Sequence, residues 1–381
     1  MNKVTFNSPK NQSLFQCFLS VKDPRVTARC RYPLMNILVM TLCALISGAD
    51  HWEGIAYFSK KRERWLGQFI DMRFGVPSAL TFARVFSLVA PKEFKGAVQE
   101  WMSQFFELIR YDMIALDGKC VRGSARKRQS KKGVHIVNAY LAKEGVTLGE
   151  ECVDKKSNEI KAIPKLLKSL NIKGAIISID AMGTQKGIAN LTRIKQAHYV
   201  LSLKKNHKRF YRTVERTFNK GDELNQAVMT FKRYEENDYG HGRIERRRYT
   251  ILPMMYFHKY KKHWRDLSAI VRVESMRYKN GETEKSTRYY ITSLPFKEYK
   301  RMCQSIRQHW AVENNLHWKL DVGLKEDFCL ATRGYAAENL ATLRKMVLKL
   351  LENENTSKYG IAMKRLQAGF SVRYLRKVVG F

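Results

Sequence analysis

Acid is scarce in this sequence. Against 70 lysines and arginines stand 35 aspartates and glutamates, a formal charge of +35 over 381 residues. Long apolar runs are also missing. The longest, PLMNILVMTLCALISGA from Pro33 to Ala49, is broken by Asn36, Thr41 and Ser47. It falls short of the roughly 18 uninterrupted apolar residues of a membrane span and reads as a core helix. The opening MNKVTFNSPKNQSLF has no apolar signal core, so export is not expected. The seven cysteines (Cys17, Cys30, Cys43, Cys120, Cys152, Cys303 and Cys329) are odd in number, scattered and never spaced C-x-x-C. They read as reduced cytosolic thiols, which excludes a disulfide frame and a paired-cysteine zinc site. The glycines at Gly118 and Gly123 lack phosphate-loop spacing, no Ser-His-Asp or Cys-His nucleophile arrangement is recognisable, and no internal repeat is present.

Positive charge in this excess points to a polyanionic partner. Nucleic acid fits, because Lys and Arg spread over a surface release counterions as they contact phosphates. An anionic membrane fits less well, since neither terminus offers a basic amphipathic anchor, and no membrane partner is expected.

Apolar residues recur three and four apart through the first 110 residues, in HWEGIAYFSKKRERWLGQFI, SALTFARVFSLV and EFKGAVQEWMSQFFELI, with Pro33, Pro77 and Pro91 near helix starts. Residues 1–110 are therefore expected to be all-helical. At Tyr111 the pattern changes. MIALDG, HIVNAYLA and VTLGEECV read as strands, then EIKAIPKLLKSL as a helix, AIISIDA as a strand, TQKGIANLTRIKQA as a helix and HYVLSLK as a strand. Three strands followed by strand–helix alternation describe an α/β fold, a mixed sheet flanked by helices, over 111–206. Residues 207–296 read as strand-rich, 297–355 as helical again, and 356–381 as a basic helical tail.

Two of those strands end alike. In MIALDGK the run Met113 to Leu116 stops on Asp117, and in AIISIDAMGTQ the aliphatic run stops on Asp180. Burying a carboxylate is costly unless something positive meets it. A third acid sits in SIRQHWAVENNLHWKLDVGLKED, residues 305–327. A helix there places Ile306, His309, Trp310, Glu313, Leu316, His317 and Leu320 on one face of roughly 120°, with Glu313 in the middle of the face expected to pack on the sheet. Three converging carboxylates repel one another unless a counter-charge sits between them. Mg²⁺ or Mn²⁺, taken as two ions, would supply it: hard cations prefer oxygen ligands and can activate a water at a phosphodiester.

The order of acid on the first strand, acid ending the fourth and glutamate on a later helix resembles the DDE arrangement of ribonuclease-H-like transposases and integrases. The blocks KDPR, YPLMNIL, GADHWEGIAYF, GVPSALTFARVFS, LDGKCVRGS, KSNEI, IDAMGTQKGIA, HGRIER and RQHWAVENNLHWKLDVGLKED together resemble the H-repeat-associated insertion-sequence transposases, from about Phe15 to Glu352. The resemblance implies a ribonuclease-H-like catalytic core carrying Asp117, Asp180 and Glu313 as catalytic and metal-binding triad. It also implies that 207–296 is a β-rich insertion between the fifth strand and the helix of Glu313. The implied activity is cleavage at the ends of a mobile element and strand transfer into target DNA. Implied partners are double-stranded DNA, as terminal inverted repeats and as target, and a second copy of the chain; the implied setting is the bacterial cytoplasm and nucleoid. An inactive or host-retained DNA-binding relative and a stand-alone Mg²⁺-dependent nuclease are the alternatives. Related transposases with an inserted β-domain carry Tyr, Arg and Lys at fixed steps around the glutamate; the matching positions here are Ile306, His309 and Leu320, beside Arg307 and Lys319.

Other signals have plainer readings. Asp180 alone suits a turn or helix cap. Glu159 in KSNEI most simply suits a first-turn acid favoured by the helix dipole, with a metal role as the lesser alternative. Asp321, Glu326 and Asp327 are either alternative ligands or, more simply, salt-bridge partners. His309 and His317 either contact the scissile phosphate or fill the core, and Trp310 and Trp318 either pack or hold an unstacked base. Lys119 and Arg122 follow Asp117 and are candidates for phosphate contact. So are Lys204 and Lys205 in LKKNHKR and Arg243 and Arg246 in GRIERRR. With Arg307, His309, Trp310, His317 and Lys319 they form the expected DNA-binding set. SARKRQSKKG and KYKKHWR are further basic runs of the same kind.

Overall fold

The computed structural model describes residues 9–105, 107, 112–125, 133–153, 158–223, 229–240, 243–279 and 281–380. Most of SARKRQSKKG lies outside the described residues. Six helices come first: α1 (Pro9–Ser20), α2 (Leu34–Ile46), α3 (Trp52–Lys61), α4 (Glu63–Leu66), α5 (Ala79–Leu88) and α6 (Pro91–Ser103). α2, the longest apolar run of the sequence, is buried at nearly every position, as a helix apolar all round must be. No helix among the described residues is long and apolar enough to cross a membrane.

The strands β1 (Met113–Val121), β2 (Val134–Leu141) and β3 (Val146–Cys152) form an antiparallel set. They are followed by α7 (Glu159–Ser169), β4 (Ile176–Ile179), α8 (Lys186–Ile194) and β5 (His198–Leu203), with β1, β4 and β5 parallel neighbours. The strand-rich stretch expected from 207 opens instead with a helix, α9 (Lys208–Glu223), which buries Phe210, Val214 and Phe218 at helical spacing. Four long antiparallel strands come next: β6 (Lys232–Gly240), β7 (Arg243–Pro253), β8 (Ala269–Lys279) and β9 (Glu282–Thr292). β9 pairs with β5, Val200 opposite Thr292 through Leu203 opposite Tyr289. All nine strands thus form one sheet, in the order β3-β2-β1-β4-β5-β9-β8-β7-β6.

Helices cover both faces. Ile114 and Leu116 of β1, Ile177 and Ile179 of β4 and the apolar side of α7 and α8 share one core. On the other side, Met113 and Ala115 join a core made by α1, α2, α5, α6, α11 (Ala336–Asn353) and α13 (Val372–Val379). Helices from the two ends of the chain therefore bury each other. α10 (Tyr299–His309) packs Met302, Cys303 and Ile306 against Ile176 of β4 and Val200 of β5 on this same side. α12 (Ile361–Phe370) is tied in by Arg365, whose buried guanidinium donates to the carbonyls of Leu45 and Gly323 and to Asp50.

Candidate active site

Strand register brings the first two acids together. β1 and β4 run parallel with Leu116 opposite Ile179, so Asp117 and Asp180, each one residue further on, stand level where the ladder between them stops. Asp180 follows the end of β4, whereas β1 does not end on Asp117 as expected but runs on to Val121, paired with β2. Side chains alternate across a sheet. Asp117 therefore shares the face of Met113 and Ala115, and Asp180 the face of Ile176, beneath α10 and the segment that follows it.

Both carboxylates are half-committed. Asp180 Oδ1 accepts the N–H groups of Met182 at 3.0 Å and Gly183 at 3.3 Å, so the turn-capping role is real and uses one oxygen. The Thr184 hydroxyl, 3.0 Å from the Asp180 carbonyl and 2.7 Å from that of Ser202, ties this turn to β5. Asp117 Oδ1 accepts the Gly118 N–H at 2.9 Å, while Oδ2 lies 3.5 Å from His317 Nδ1. Burial and the surrounding carboxylates of Glu159, Glu313 and Asp180 outweigh the Gly118 N–H and push the Asp117 carboxyl up to about 7. Burial holds both histidines neutral: His309 falls to about 4, against the pull of Asp180, and His317 to about 3. His309 Nδ1 and His317 Nε2 are buried with no hydrogen-bond partner among the described residues.

The third acid arrives differently from expectation. After α10 the chain widens into π-helical turns over Val312–His317 and Lys319–Gly323, in which Trp318 N–H donates to Glu313 O and Leu324 N–H to Lys319 O, five residues back. Val312, Leu316 and Leu320 are buried, whereas Glu313 is exposed rather than packed on the sheet. The wheel drawn at 3.6 residues per turn fails because the turn is wider. Glu313 remains near enough to oppose ionisation of Asp117. It also lines a cleft of about 240 Å³ between α10 and the β7–β9 face, with Arg247, Arg277, Arg288, Arg307 and Trp310.

Asp117, whose ionisation the neighbouring carboxylates oppose, and those carboxylates themselves are hard oxygen donors and suit Mg²⁺ or Mn²⁺. Among the described residues no three His, Cys, Asp or Glu side chains already close on a common ion position. The donor set fits the ion in kind, and it stands open.

A family model described as Transposase DDE domain matches residues 109–350, and a companion described as DDE_Tnp_1-associated matches 15–102. The chain belongs to this transposase DDE family. It is 35% identical over 377 residues to the Escherichia coli O157:H7 protein named Putative transposase YncI, covering 97% of this chain and 94% of that one. To the H repeat-associated putative transposase YhhI of Escherichia coli K12 it is 34% identical over 364 residues, covering 94% and 95%. A solved piggyBac transposase synaptic complex with hairpin DNA aligns at a TM-score of 0.36 and 12% identity over 98% of this chain and 82% of that one, too distant to carry an argument.

In this DDE-family chain the basic residues read from sequence fall into two groups. Lys119 does not reach the surface: it is buried, with Nζ 2.7 Å from Asp321 Oδ1, 2.7 Å from Glu326 Oε2 and 3.6 Å from Asp327 Oδ1. Those three acids are its counter-ions, which corrects the reading of Lys119 as a phosphate contact; although burial disfavours its charge, Glu326 and Asp321 hold its pKa above the ordinary value. Lys319 pairs with Glu352 at 2.7 Å and Arg307 with Asp238 at 2.8 Å. Arg246 is exposed and pairs with Glu235. Arg122 is largely exposed beside Asp327, and Lys204 and Lys205 are exposed just beyond β5. The Arg243 side chain lies outside what is described. Trp310 carries the Arg288 guanidinium 4.8 Å from its ring centre, whereas Trp318 points to solvent.

One residue near Asp117 reads from sequence chiefly as a helix-start acid, with a metal role second. Glu159 does open α7, yet its carboxylate is mostly buried and accepts from His135 Nε2 at 2.6 Å. Its sole sequence signal is an acid at the first position of an apolar helix, and its partner lies on another strand.

Proposed function

We propose that this chain is a DNA transposase of the DDE type, with Asp117, Asp180 and Glu313 as its catalytic triad. The observation that carries the reading is the level placement of Asp117 and Asp180 on one face of adjacent parallel strands, with Glu313 close enough to help push the Asp117 carboxyl up. The order β3-β2-β1-β4-β5, with only β2 antiparallel to its neighbours, supports a ribonuclease-H-like core into which residues 207–296 are inserted.

When bound, two Mg²⁺ or Mn²⁺ ions would supply an activated water or 3′-hydroxyl and stabilise the leaving oxygen at a phosphodiester. Asp117, within β1, and Asp180, just past β4, hold that position from adjacent strands, and Glu313 approaches from the helical side. Neutral His309, in the tautomer protonated at Nδ1, offers that N–H to a phosphate oxygen, whereas His317 turns Nδ1 toward Asp117 and keeps Nε2 as an acceptor. Arg122, Lys204 and Lys205, exposed close by, hold the DNA backbone. The double-stranded substrate is the terminal repeat of a mobile element and then target DNA, handled by a homodimer at the bacterial nucleoid.

The test is a labelled element end incubated with Mg²⁺ and either the native chain or Asp180→Ala. Native cleavage followed by joining, abolished in the variant, is expected. Binding without cleavage refutes the enzyme in favour of a DNA-binding relative, and cleavage without joining makes the chain a nuclease.

A further inference from the structure

Resting on that reading of the site, we infer that Glu159 is its fourth carboxylate, a cation-facing residue held in place by His135. Three observations meet here. The first is a route across the sheet. Gly118 alternates with Asp117, so it faces the α7 side, where Glu159 stands at the first position of the helix. A side chain built on Gly118 would run into the Glu159 carboxylate and the His135 ring. The missing Cβ leaves the notch in β1 through which Glu159 approaches Asp117, whose Oδ1 is bonded to the N–H of that same glycine.

The second is the hydrogen bond. His135 stands opposite Cys120 on β2 and binds Glu159 Oε1 at 2.6 Å. One carboxylate oxygen is thereby fixed, in the way that histidine–carboxylate pairs orient metal ligands. The third is cost. An acid serving the helix dipole alone works from solvent, but the Glu159 side chain is only 13% exposed. Withdrawing this carboxylate from water toward Asp117 destabilises the empty protein, and a divalent cation reverses the sign of that interaction. On the other layer the half-buried His309 keeps Nδ1 unpartnered among the described residues, within electrostatic reach of Asp180.

The experiment titrates Mn²⁺ into the full chain without DNA, follows free Mn²⁺ by electron paramagnetic resonance, and measures thermal unfolding in chelator alongside. Glu159→Gln is expected to weaken Mn²⁺ binding at least tenfold while metal-free thermal stability is kept or raised. His135→Gln, which leaves every carboxylate present but loosens one, is expected to weaken binding about 10-fold. Gly118→Ala, which closes the notch, is expected to do the same and decides the matter should Glu159→Gln not fold. Unchanged Mn²⁺ affinity with lowered metal-free stability would mean a helix-start acid only, and would overturn the inference while leaving the triad standing. A native chain that binds no Mn²⁺ overturns both.

Discussion

Replacing Lys119 by methionine separates a structural lysine from a DNA-binding one. At 2.7 Å, each of its contacts to Asp321 and Glu326 is worth roughly 6 kcal/mol gross at an effective dielectric near 20. Desolvation of the ions consumes most of this, so the net value of the cluster is small. Breaking it is another matter, because Glu326 is 1% exposed and would be left buried, charged and unpaired. Removing one partner of a buried pair costs about 3–5 kcal/mol. With a urea m value of roughly 4 kcal/mol/M for a chain this long, Lys119→Met should lower the denaturation midpoint by about 1 M. Adding Glu326→Gln should recover part of the loss, giving a coupling above about 1 kcal/mol in the double-mutant cycle. A midpoint that stays put, combined with a DNA-binding salt slope reduced by about one, would show Lys119 on phosphate and refute the reasoning.

The raised Asp117 carboxyl has a pH signature in chelator. Its folded pKa of about 7 exceeds the unfolded value of 3.8, so the folded chain keeps a proton that the unfolded chain loses, and stability falls as pH rises between those values. Asp117→Asn should remove roughly 2–3 kcal/mol of the fall between pH 5 and pH 8; parallel pH profiles for native and variant proteins would contradict it. Lys204→Ala with Lys205→Ala should lower the salt slope of duplex binding, read by fluorescence anisotropy, by about two, and an unchanged slope removes them from the interface. Arg365→Met should cost about 3–5 kcal/mol in urea unfolding, since Asp50 and the carbonyls of Leu45 and Gly323 lose a buried donor, and a cost under 1 kcal/mol would contradict that.

What could be read in advance followed local periodicity. Aliphatic runs ending on Asp117 and Asp180 marked two adjacent strands, because strands of a parallel sheet buried on both faces are apolar, but only β4 stops at its acid; β1 runs on to Val121 against β2. The helices before residue 105 were legible from spacings of three and four. Glu313 was legible as a residue but not as an orientation, since a π turn leaves no mark in a helical wheel. Lys119 escaped because its partners lie some 200 residues away in sequence. Glu159 escaped because the first turn of a helix gives an acid a sufficient local reason to be there. The pairing of β9 with β5 joins segments about 90 residues apart, and nothing in either strand names the other.

That pairing constrains how the molecule can respond to a bound duplex. The strands from 232 to 292 join the sheet at β5, the neighbour of the strand that leads to Asp180, through a ladder of four residue pairs and a core shared by Tyr199, Leu201, Trp264 and Tyr289. Bending at that seam would drag β5, and with it the Thr184 turn that seats Asp180.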